Sequence, residues 1–321
     1  DTFDELKKNA RNGYFEKLIK EYLLDNNHKS IISLVPEYGL EKEKEQKEAD
    51  KLAEYKSTLT NDELEELVKK TKELKEYQDT PSSQEDLEKI PMLELSDIKR
   101  EPAKDYNDVK SVDGIKIVHH NIFTNKIAYI NMSFDTKCVP DELIPYMGLL
   151  GSTLSLMDTK NYTYPELTNE ININCGGLAT GTALYSDKVD FSKNTIAYEV
   201  KSKALYEKVP FVLGMMEEIM YNTRFDDYKR LKEIIARIKS RLEASLMGQG
   251  HSIAMLECCA QFSESAYYSD ILRGYKYYEF IKKLDEEFEQ NKTQIVDKLN
   301  KLVGYIFNKD NVIVSLTADD E

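Results

Sequence analysis

Histidine is the side chain that most often binds catalytic metals, and this chain has four: His28, His119, His120 and His251. A zinc hydrolase needs two histidines on one helix face and a glutamate that activates water, as in His-x-x-Glu-His or its inverse. No histidine in this sequence has a second one three or four residues away. His119 and His120 are adjacent on a predicted strand, so their side chains point to opposite faces and cannot share one ion without distortion. We therefore interpret all four as structural histidines and predict no metal ligand in this chain.

Nucleophilic side chains are present, but not in the contexts that activate them. The four cysteines are Cys138, Cys175, Cys258 and Cys259. None forms a Cys-x-x-Cys pair, which favours free thiols and a reducing compartment. Cys258 lies among apolar residues of a predicted helix, so we interpret it as a core residue rather than a reactive thiolate. No Gly-x-Ser-x-Gly motif occurs, and Ser252, next to His251, lacks the strand–turn–helix context of a catalytic serine. We predict no catalytic residue.

The segment Gly176-Gly177-Leu-Ala-Thr-Gly181 is the closest match to a phosphate-binding loop. It follows a predicted helix and enters a predicted strand, whereas phosphate loops run from a strand into a helix so that the helix N-terminus faces the anion. We therefore reject a phosphate loop and predict no cofactor-binding residue. A group of tyrosines is interpreted as helix-packing surface rather than a recognition site: Tyr267, Tyr268, Tyr275, Tyr277 and Tyr278.

These glycines belong to the stretch Asn161–Leu184, which predicts a short helix, a glycine stop and a strand. Thr163 and Glu166 have the spacing of a capping box, in which each side chain binds the other residue's free backbone N–H. Gly176 and Gly177 supply the positive φ angle that ends a helix. The stretch therefore predicts a local structural device with no need for a ligand.

The first hundred residues are predicted to be mainly helical and highly charged. Residues 3–24 have helical apolar spacing, and Ser30–Val35 (SIISLV) predicts a buried strand. Two charged helices are predicted from about Glu41 to Tyr77, and the second begins with the capping pair Thr60 and Glu63. Their weak apolar stripes predict a helical hairpin that lies as an arm across other parts of a protein. A polar linker follows, and then an apolar, extended segment over 90–98.

The remaining residues alternate between strand and helix patterns. Two β-hairpins are predicted, from Ile115–Ile122 with Ile127–Phe134 and from Leu178–Tyr185 with Ile196–Val200. The predicted helices and the closing strand are Asp141–Met157, an amphipathic helix through Leu231 and Leu246, Ile253–Phe262, Tyr275–Phe288, Thr293–Phe307 and strand Val312–Leu316. This order predicts an α+β fold with a mainly antiparallel sheet and helices packed on one face, preceded by the helical hairpin.

Composition narrows the classes of function and of partner. The net charge of −14 disfavours nucleic acid, because phosphate binding needs an excess of Lys and Arg. No run of about eighteen apolar residues occurs, so we expect no membrane span. The chain begins with Asp1 and a predicted helix, which we interpret as a fragment, a processed product or a trimmed chain rather than a signal peptide. With reduced cysteines, we expect a cytoplasmic protein, or an organellar one if it is eukaryotic.

Several segments, in this order, resemble the presequence-protease branch of the insulinase (pitrilysin) superfamily, which also contains falcilysin-like and bacterial peptidases. The segments are Tyr22–Ser30, Leu95–Ile98, Phe123-Thr124-Asn125, Thr163–Gly177, Leu272–Ile281 and Val312–Glu321. The resemblance covers nearly the whole chain. It implies a zinc metallopeptidase of two halves, joined by a helical hairpin and enclosing a chamber for unfolded peptides, with zinc bound only in the first half.

On this resemblance, residues 1–40 end the catalytic half, residues 41–99 form the hairpin and linker, and residues 100–321 form a zinc-free insulinase-like domain. The helix Asp141–Met157 then replaces the zinc-binding helix, and it reads PYMGLLG over Pro145–Gly151, without ligand or base. No catalytic, cofactor-binding or metal-binding residue carries over, so the chain alone is predicted to be inactive.

The resemblance also implies partners: the catalytic half with its zinc, the fourth domain of the same parent protein, and an unfolded peptide, with no nucleic acid or membrane. The alternative is a free-standing, non-enzymatic interaction or scaffold domain.

Overall fold

The structure is a computed structural model, and it describes residues 2–101, 107–190 and 193–319. The chain divides into two compact units, unit 1 (Asp1–Arg100) and unit 2 (Glu101–Glu321). Among the described helices, none combines the length and apolar content that crossing a bilayer requires. The last two residues of the segment Val312–Glu321 lie outside the described residues.

Unit 1 consists of helices separated by extended segments: α1 (Thr2–Ala10), α2 (Tyr14–Leu18), α3 (Leu40–Thr58), α4 (Asn61–Asp79) and α5 (Gln84–Glu88). The single helix predicted over 3–24 is interrupted at Gly13, which has a left-handed φ of 73°. A π-helical turn, Ile19–Leu24, follows α2. The two charged helices occur as predicted and are separated by two residues, Leu59 and Thr60. The predicted polar linker contains α5, which Ser83 caps by accepting from the Asp86 N–H.

The predicted buried strand Ser30–Val35 is wrong. These residues run as irregular, extended chain, with Ile31 97% and Leu34 94% exposed. A strand is stabilised by hydrogen bonds to a neighbouring strand, and no strand in the described residues pairs with this segment. Its apolar, β-branched composition was therefore an insufficient signal.

Unit 2 is built on a six-stranded sheet in the order β1-β2-β6-β3-β5-β4. The strands are β1 (Asp108–Val112), β2 (Ile115–Asn121), β3 (Ile127–Asp135), β4 (Leu178–Ser186), β5 (Asn194–Leu205) and β6 (Val312–Ala318). Every neighbouring pair is antiparallel except β2 and β6, which are parallel. The predicted α+β fold with a mainly antiparallel sheet is confirmed, as is the hairpin of β4 with β5.

The first predicted hairpin is wrong, because β2 and β3 are not paired with each other. The C-terminal strand β6 lies between them, parallel to β2 and antiparallel to β3, so that Ile117 and Asn131 face Val314 and Ser315. The other partner of β2 is β1, which the sequence analysis missed. The signal was present as Asp113-Gly114, whose φ angles of 50° and 85° suit the tight turn that an Asp-Gly pair favours.

The helices of unit 2 are α6 (Ile144–Thr153), α7 (Tyr164–Asn174), α8 (Val209–Asn222), α9 (Tyr228–Gly248), α10 (Gly250–Cys259), α11 (Glu264–Arg273), α12 (Tyr275–Glu286) and α13 (Phe288–Ile306). They contribute one continuous core with the inward residues of the sheet, such as Ile130 and Phe134 on β3. Phe307, just after α13, packs edge-to-face against Phe134 and Tyr198. The sheet thus has one face buried by helices and a second, more polar face.

Candidate functional site: the zinc-free helix and the polar sheet face

Helix α6 lies within the predicted helix 141–157, where the resemblance places the zinc-binding helix of the catalytic counterpart. Its side chains are devoted to packing: Met147, Leu149 and Leu150 are fully buried. Two glycines let neighbouring elements approach the helix. A Cβ at Gly148 would lie 2.8 Å from Cε2 of Tyr277, and a Cβ at Gly151 would lie 3.1 Å from Cα of Gly181. Helix α6 is therefore a core helix that α12 and β4 approach closely.

The histidines are not brought together. His119 is buried, with Nε2 3.1 Å from the Ala318 carbonyl, whereas Nε2 of His120 lies 3.1 Å from Ser315 Oγ. His28 lies in the extended segment of unit 1, and His251 is exposed in the first turn of α10. Over residues 2–101, 107–190 and 193–319, no three His, Cys, Asp or Glu side chains are arranged to hold a metal ion. These residues offer no acid–base or metal site of their own.

All four cysteines are free thiols, but the interpretation of Cys258 as a core residue is wrong. Cys258 is exposed because it lies at the end of α10, a helix with no fully buried residue. Cys138 is also exposed, and its thiol donates to the Tyr305 carbonyl at 3.2 Å. Ser252 follows His251 in the first turn of α10, so it remains outside a nucleophile context.

The helix–glycine–strand stretch forms as the sequence predicts. The Thr163 N–H and hydroxyl both donate to Glu166 Oε2, at 2.9 and 2.7 Å, and start α7. These bonds hold the pKa of the Glu166 carboxyl below its usual range. Gly177 has a φ of 112°, and the Gly176 N–H donates to the Lys203 carbonyl at 2.7 Å, which leads the chain into β4 beside β5. The stretch sets the register of the second hairpin.

The polar face of the sheet contains a buried carboxylate, Glu199 on β5. It accepts hydrogen bonds from Asn131 Nδ2 at 2.9 Å and from the Tyr185 hydroxyl at 2.5 Å, and it pairs with Lys201 Nζ at 2.5 Å. These groups come from β3, β4 and β5, which are adjacent in the sheet. The cluster therefore joins three strands on the face opposite the helices.

Electrostatics make this cluster a fixed anion rather than a proton-transfer group. Burial raises the pKa of Glu199, but the hydrogen bonds from Asn131, Lys201 and Tyr185 outweigh it and hold the pKa below its usual range. The same bond to Glu199, with burial, raises the pKa of Tyr185 to about 12. At neutral pH the carboxylate is thus charged, the phenol is protonated, and Lys201 balances the charge. A carboxylate with these partners is a poor general base, so the face is suited to contact rather than catalysis.

The described residues on this face remain accessible around the cluster. Tyr129 on β3, Tyr185 on β4 and Ile313 on β6 are all exposed large side chains. Sequence reasoning noticed the alternation of β3 but did not identify Glu199 as part of a cluster, because its partners lie 14 and 68 residues away. An acidic residue inside a strand with a buried pattern was the only available signal.

A model of a family of peptidase-associated domains, those that accompany subfamily C of the insulinase-type peptidases, matches residues 34–284. That range is most of the chain. The chain belongs to this peptidase-associated family. The matched range includes the charged helices of unit 1 and extends through the sheet of unit 2 into α12.

Individual relatives extend the similarity to the whole chain. Protein HypA of Clostridium perfringens is 37% identical over 320 residues, which cover 100% of this chain and 33% of the relative. Presequence protease 1, chloroplastic/mitochondrial, of Arabidopsis thaliana is 29% identical, covering 95% of this chain and 28% of the relative. The mitochondrial presequence protease of Drosophila melanogaster is 26% identical, covering 93% and 28%.

Together these matches confirm the predicted membership in the presequence-protease-like branch of the insulinase superfamily. The peptidase-associated chain spans about a third of the length of the curated relatives it matches. At the family level it is therefore a peptidase-associated segment.

Proposed function

We propose that this chain is the central, non-catalytic segment of a zinc metalloendopeptidase that degrades unfolded peptides in a closed chamber. One observation carries the proposal: nearly the whole chain aligns with proteins named presequence protease, yet it spans only 28% of their length. The rest of such a protein would supply the zinc, the base and the fourth domain. The chain itself would contribute chamber wall and the connection between the two halves.

The division of labour follows the two units. We propose that residues 1–40 end the catalytic half, residues 41–99 form the hairpin and linker, and residues 100–321 form the zinc-free domain. Unit 1 supports this because it exposes apolar side chains such as Ile31, Leu34 and Leu95, which a larger protein would cover. The unit boundary at Arg100 and Glu101 lies beside the proposed limit.

Unit 2 would provide the wall through the polar sheet face. The Glu199 cluster saturates its own carboxylate and leaves tyrosine rings exposed on either side, which is a surface that contacts a peptide without cleaving it. Zinc would be held by the His-x-x-Glu-His helix of the catalytic half, whereas α6 fills the corresponding place with packed aliphatic side chains. We place a bacterial protein of this type in the cytoplasm and a eukaryotic one in an organelle.

The test compares the purified 321-residue chain with the complete gene product, using a fluorogenic unfolded peptide and a metal analysis of both proteins. We expect no cleavage and no tightly bound zinc for the chain alone, and chelator-sensitive cleavage for the complete protein. A stably folded protein added as substrate should resist cleavage. Stoichiometric zinc together with chelator-sensitive cleavage by the chain alone would contradict the proposal. A complete gene that encodes no His-x-x-Glu-His would favour the interaction or scaffold domain.

A further inference from the structure

A cleft of about 510 Å³ lies wholly within unit 2, away from the Glu199 cluster. Its walls come from α6 and the residues after it, the middle of β4, one face of α9, and the junction of α11 with α12. Three arginines line the cleft, and no acidic residue among the described ones does: Arg237, Arg241 and Arg273. Concave sites of this size are typical of small-molecule binding.

The arginines are unusual because the chain has 58 acidic and only 44 basic residues. Arg237 and Arg241 are one turn apart on α9, so they share a face, and like charges at this spacing destabilise a helix. Neither forms an ion pair within residues 2–101, 107–190 and 193–319, although Lys239 on the same helix pairs with Asp285 at 2.8 Å. A charge that the fold leaves uncompensated in this way is compensated when an anion binds.

Arg273 has a partial structural explanation of its own. It is the last residue of α11, where a cation interacts favourably with the helix dipole, and its Nη2 lies 3.4 Å from Ser269 Oγ. No carboxylate pairs with it in the described part of the chain. It therefore adds a third positive charge to the same cleft.

Hydroxyl donors complete the polar wall. Tyr277 is only 4% exposed, and its hydroxyl has no hydrogen-bond partner among the described residues. Burial raises the pKa of this phenol, while the nearby Arg241 guanidinium opposes the rise, so the hydroxyl is protonated at neutral pH. A buried, unpaired donor is costly, and a ligand that accepts from it removes that cost. Ser155 and Thr182 also line the cleft and make no side-chain hydrogen bond within the described ranges.

The remaining wall is apolar and leaves room for an organic group. Leu156, Ile238, Leu242 and Leu272 line the cleft beside the arginines. Gly181 on β4 keeps the space open, because a Cβ there would meet no atom within 4 Å. A single inorganic ion would leave this part of the cleft unused.

We propose that this cleft binds an organic phosphate monoester. The three guanidinium groups and the hydroxyls of Ser155, Thr182 and Tyr277 donate to the phosphate oxygens, and the leucines contact the organic body. A carboxylate has only two oxygens to accept these donors, whereas a phosphate monoester presents three, with greater charge. The site uses side chains rather than a helix N-terminus, so it is not the glycine loop rejected above. It is a binding site distinct from peptide cleavage.

Isothermal titration calorimetry of the 321-residue chain at low salt, with phenyl phosphate as the probe, tests the proposal. Benzoate serves as the carboxylate of matched ring, and inorganic phosphate as the anion without an organic body. We expect phenyl phosphate to bind at least about tenfold more tightly than either, a difference of about 1.4 kcal/mol. No detectable binding of phenyl phosphate at millimolar concentration overturns the site. Equal affinity for benzoate overturns the phosphate class, and equal affinity for inorganic phosphate overturns the ester.

Substitutions locate the binding. The double variant R237Q/R241Q should weaken phenyl phosphate binding about a hundredfold, because each lost charge-assisted contact costs about tenfold. The matched control R224Q removes an exposed arginine outside the cleft that pairs with Asp226, and its affinity should equal that of the original chain. Unchanged affinity in the double variant overturns the proposal.

The hydroxyl of Tyr277 is tested separately because its ring also packs against Gly148. Y277F keeps the ring and should weaken phenyl phosphate binding several-fold while leaving the unliganded midpoint of thermal unfolding unchanged or higher. The rise follows because the variant deletes an unpaired buried hydroxyl. Unchanged binding in a folded Y277F protein overturns the role of the phenol.

Discussion

Units 1 and 2 stabilise their helices in different ways. Helices α1 to α5 of unit 1 contain no buried residue, and α3 is almost entirely charged or polar. In unit 2, helices such as α9 and α13 place fully buried aliphatic side chains in a continuous core. The difference shows that helical sequence alone does not imply burial. Unit 1 depends on interactions between residues three or four apart, whereas unit 2 depends on the hydrophobic effect.

The same local device occurs in both units and makes the comparison specific. Thr60 and Glu63 begin α4, with a distance of 2.8 Å from the Thr60 N–H to Glu63 Oε2, and Thr163 and Glu166 begin α7 with 2.9 Å. Beyond the cap, α7 buries Leu167 and Ile171, whereas α4 buries nothing. The caps are equivalent, and only the tertiary setting differs.

The largest contrast is expected from removing one leucine in each unit. Leu231→Ala on α9 empties a fully buried site and should lower the free energy of unfolding of unit 2 by about 3 kcal/mol. Leu67→Ala on α4 changes a side chain that is 51% exposed and should cost about 0.5 kcal/mol or less. Denaturant titration followed by far-UV circular dichroism measures both. Equal losses for the two variants would show that unit 1 has a core comparable to that of unit 2.

An intermediate contrast is expected from the two caps. Thr163→Ala should lower the free energy of unfolding of unit 2 by about 1 kcal/mol. Thr60→Ala should reduce hydrogen-exchange protection in α4 and leave the unfolding midpoint of unit 2 unchanged. If Thr60→Ala shifted that midpoint as much as Thr163→Ala, the two units would have to unfold together.

The caps also make a prediction for pH. Bonds from Thr163 hold the folded pKa of Glu166 below its usual value of 4.5, so the bond contributes stability above that pH and loses it as pH falls through the folded pKa. The difference between the original chain and Thr163→Ala should therefore shrink on acidification below pH 4.5. A difference that grows as the pH falls would contradict this account.

The smallest contrast is expected from two ion pairs with the same N–O distance. Lys239 and Asp285 join α9 to α12 at 2.8 Å and are largely shielded, whereas Lys70 and Glu66 on α4 are also 2.8 Å apart and are well exposed. Asp285→Asn should cost about 0.5–1 kcal/mol, and Glu66→Gln about 0.2–0.5 kcal/mol. The effect of Glu66→Gln, measured by helicity of α4, should vanish in about 1 M salt. A larger and salt-resistant effect at Glu66 would mean that this exposed pair is shielded in solution.

Much of the local structure could be predicted because its causes lie within a few residues. The apolar positions of α9, from Leu231 to Leu246, follow helical spacing, and both Thr–Glu caps form at the predicted positions. The predicted hairpin of β4 and β5 formed because it joins neighbours in sequence. The candidate site was less predictable, since the Glu199 cluster draws on three strands and no motif connects its members.

The errors share one physical origin, which is that strand pairing and burial are long-range. Segment Ser30–Val35 has strand composition but no partner in the described residues, and Cys258 has apolar neighbours in sequence but faces solvent. Strands β2 and β3 are adjacent in sequence and could have closed a hairpin at little entropic cost. Instead both pair with β6, whose side chains complete the sheet from the far end of the chain.

By itself, the sequence determined the caps, the amphipathic helices, the lack of a His-x-x-Glu-His motif and the family, because each depends on residue types at short, fixed spacings. Only the tertiary structure decided that β6 divides β2 from β3, and that Arg237, Arg241 and Arg273 meet Thr182 and Tyr277 around one cleft. Those arrangements arise when distant segments close on a common core. The free energy of that closure is a sum over the whole packed domain, which no local pattern contains.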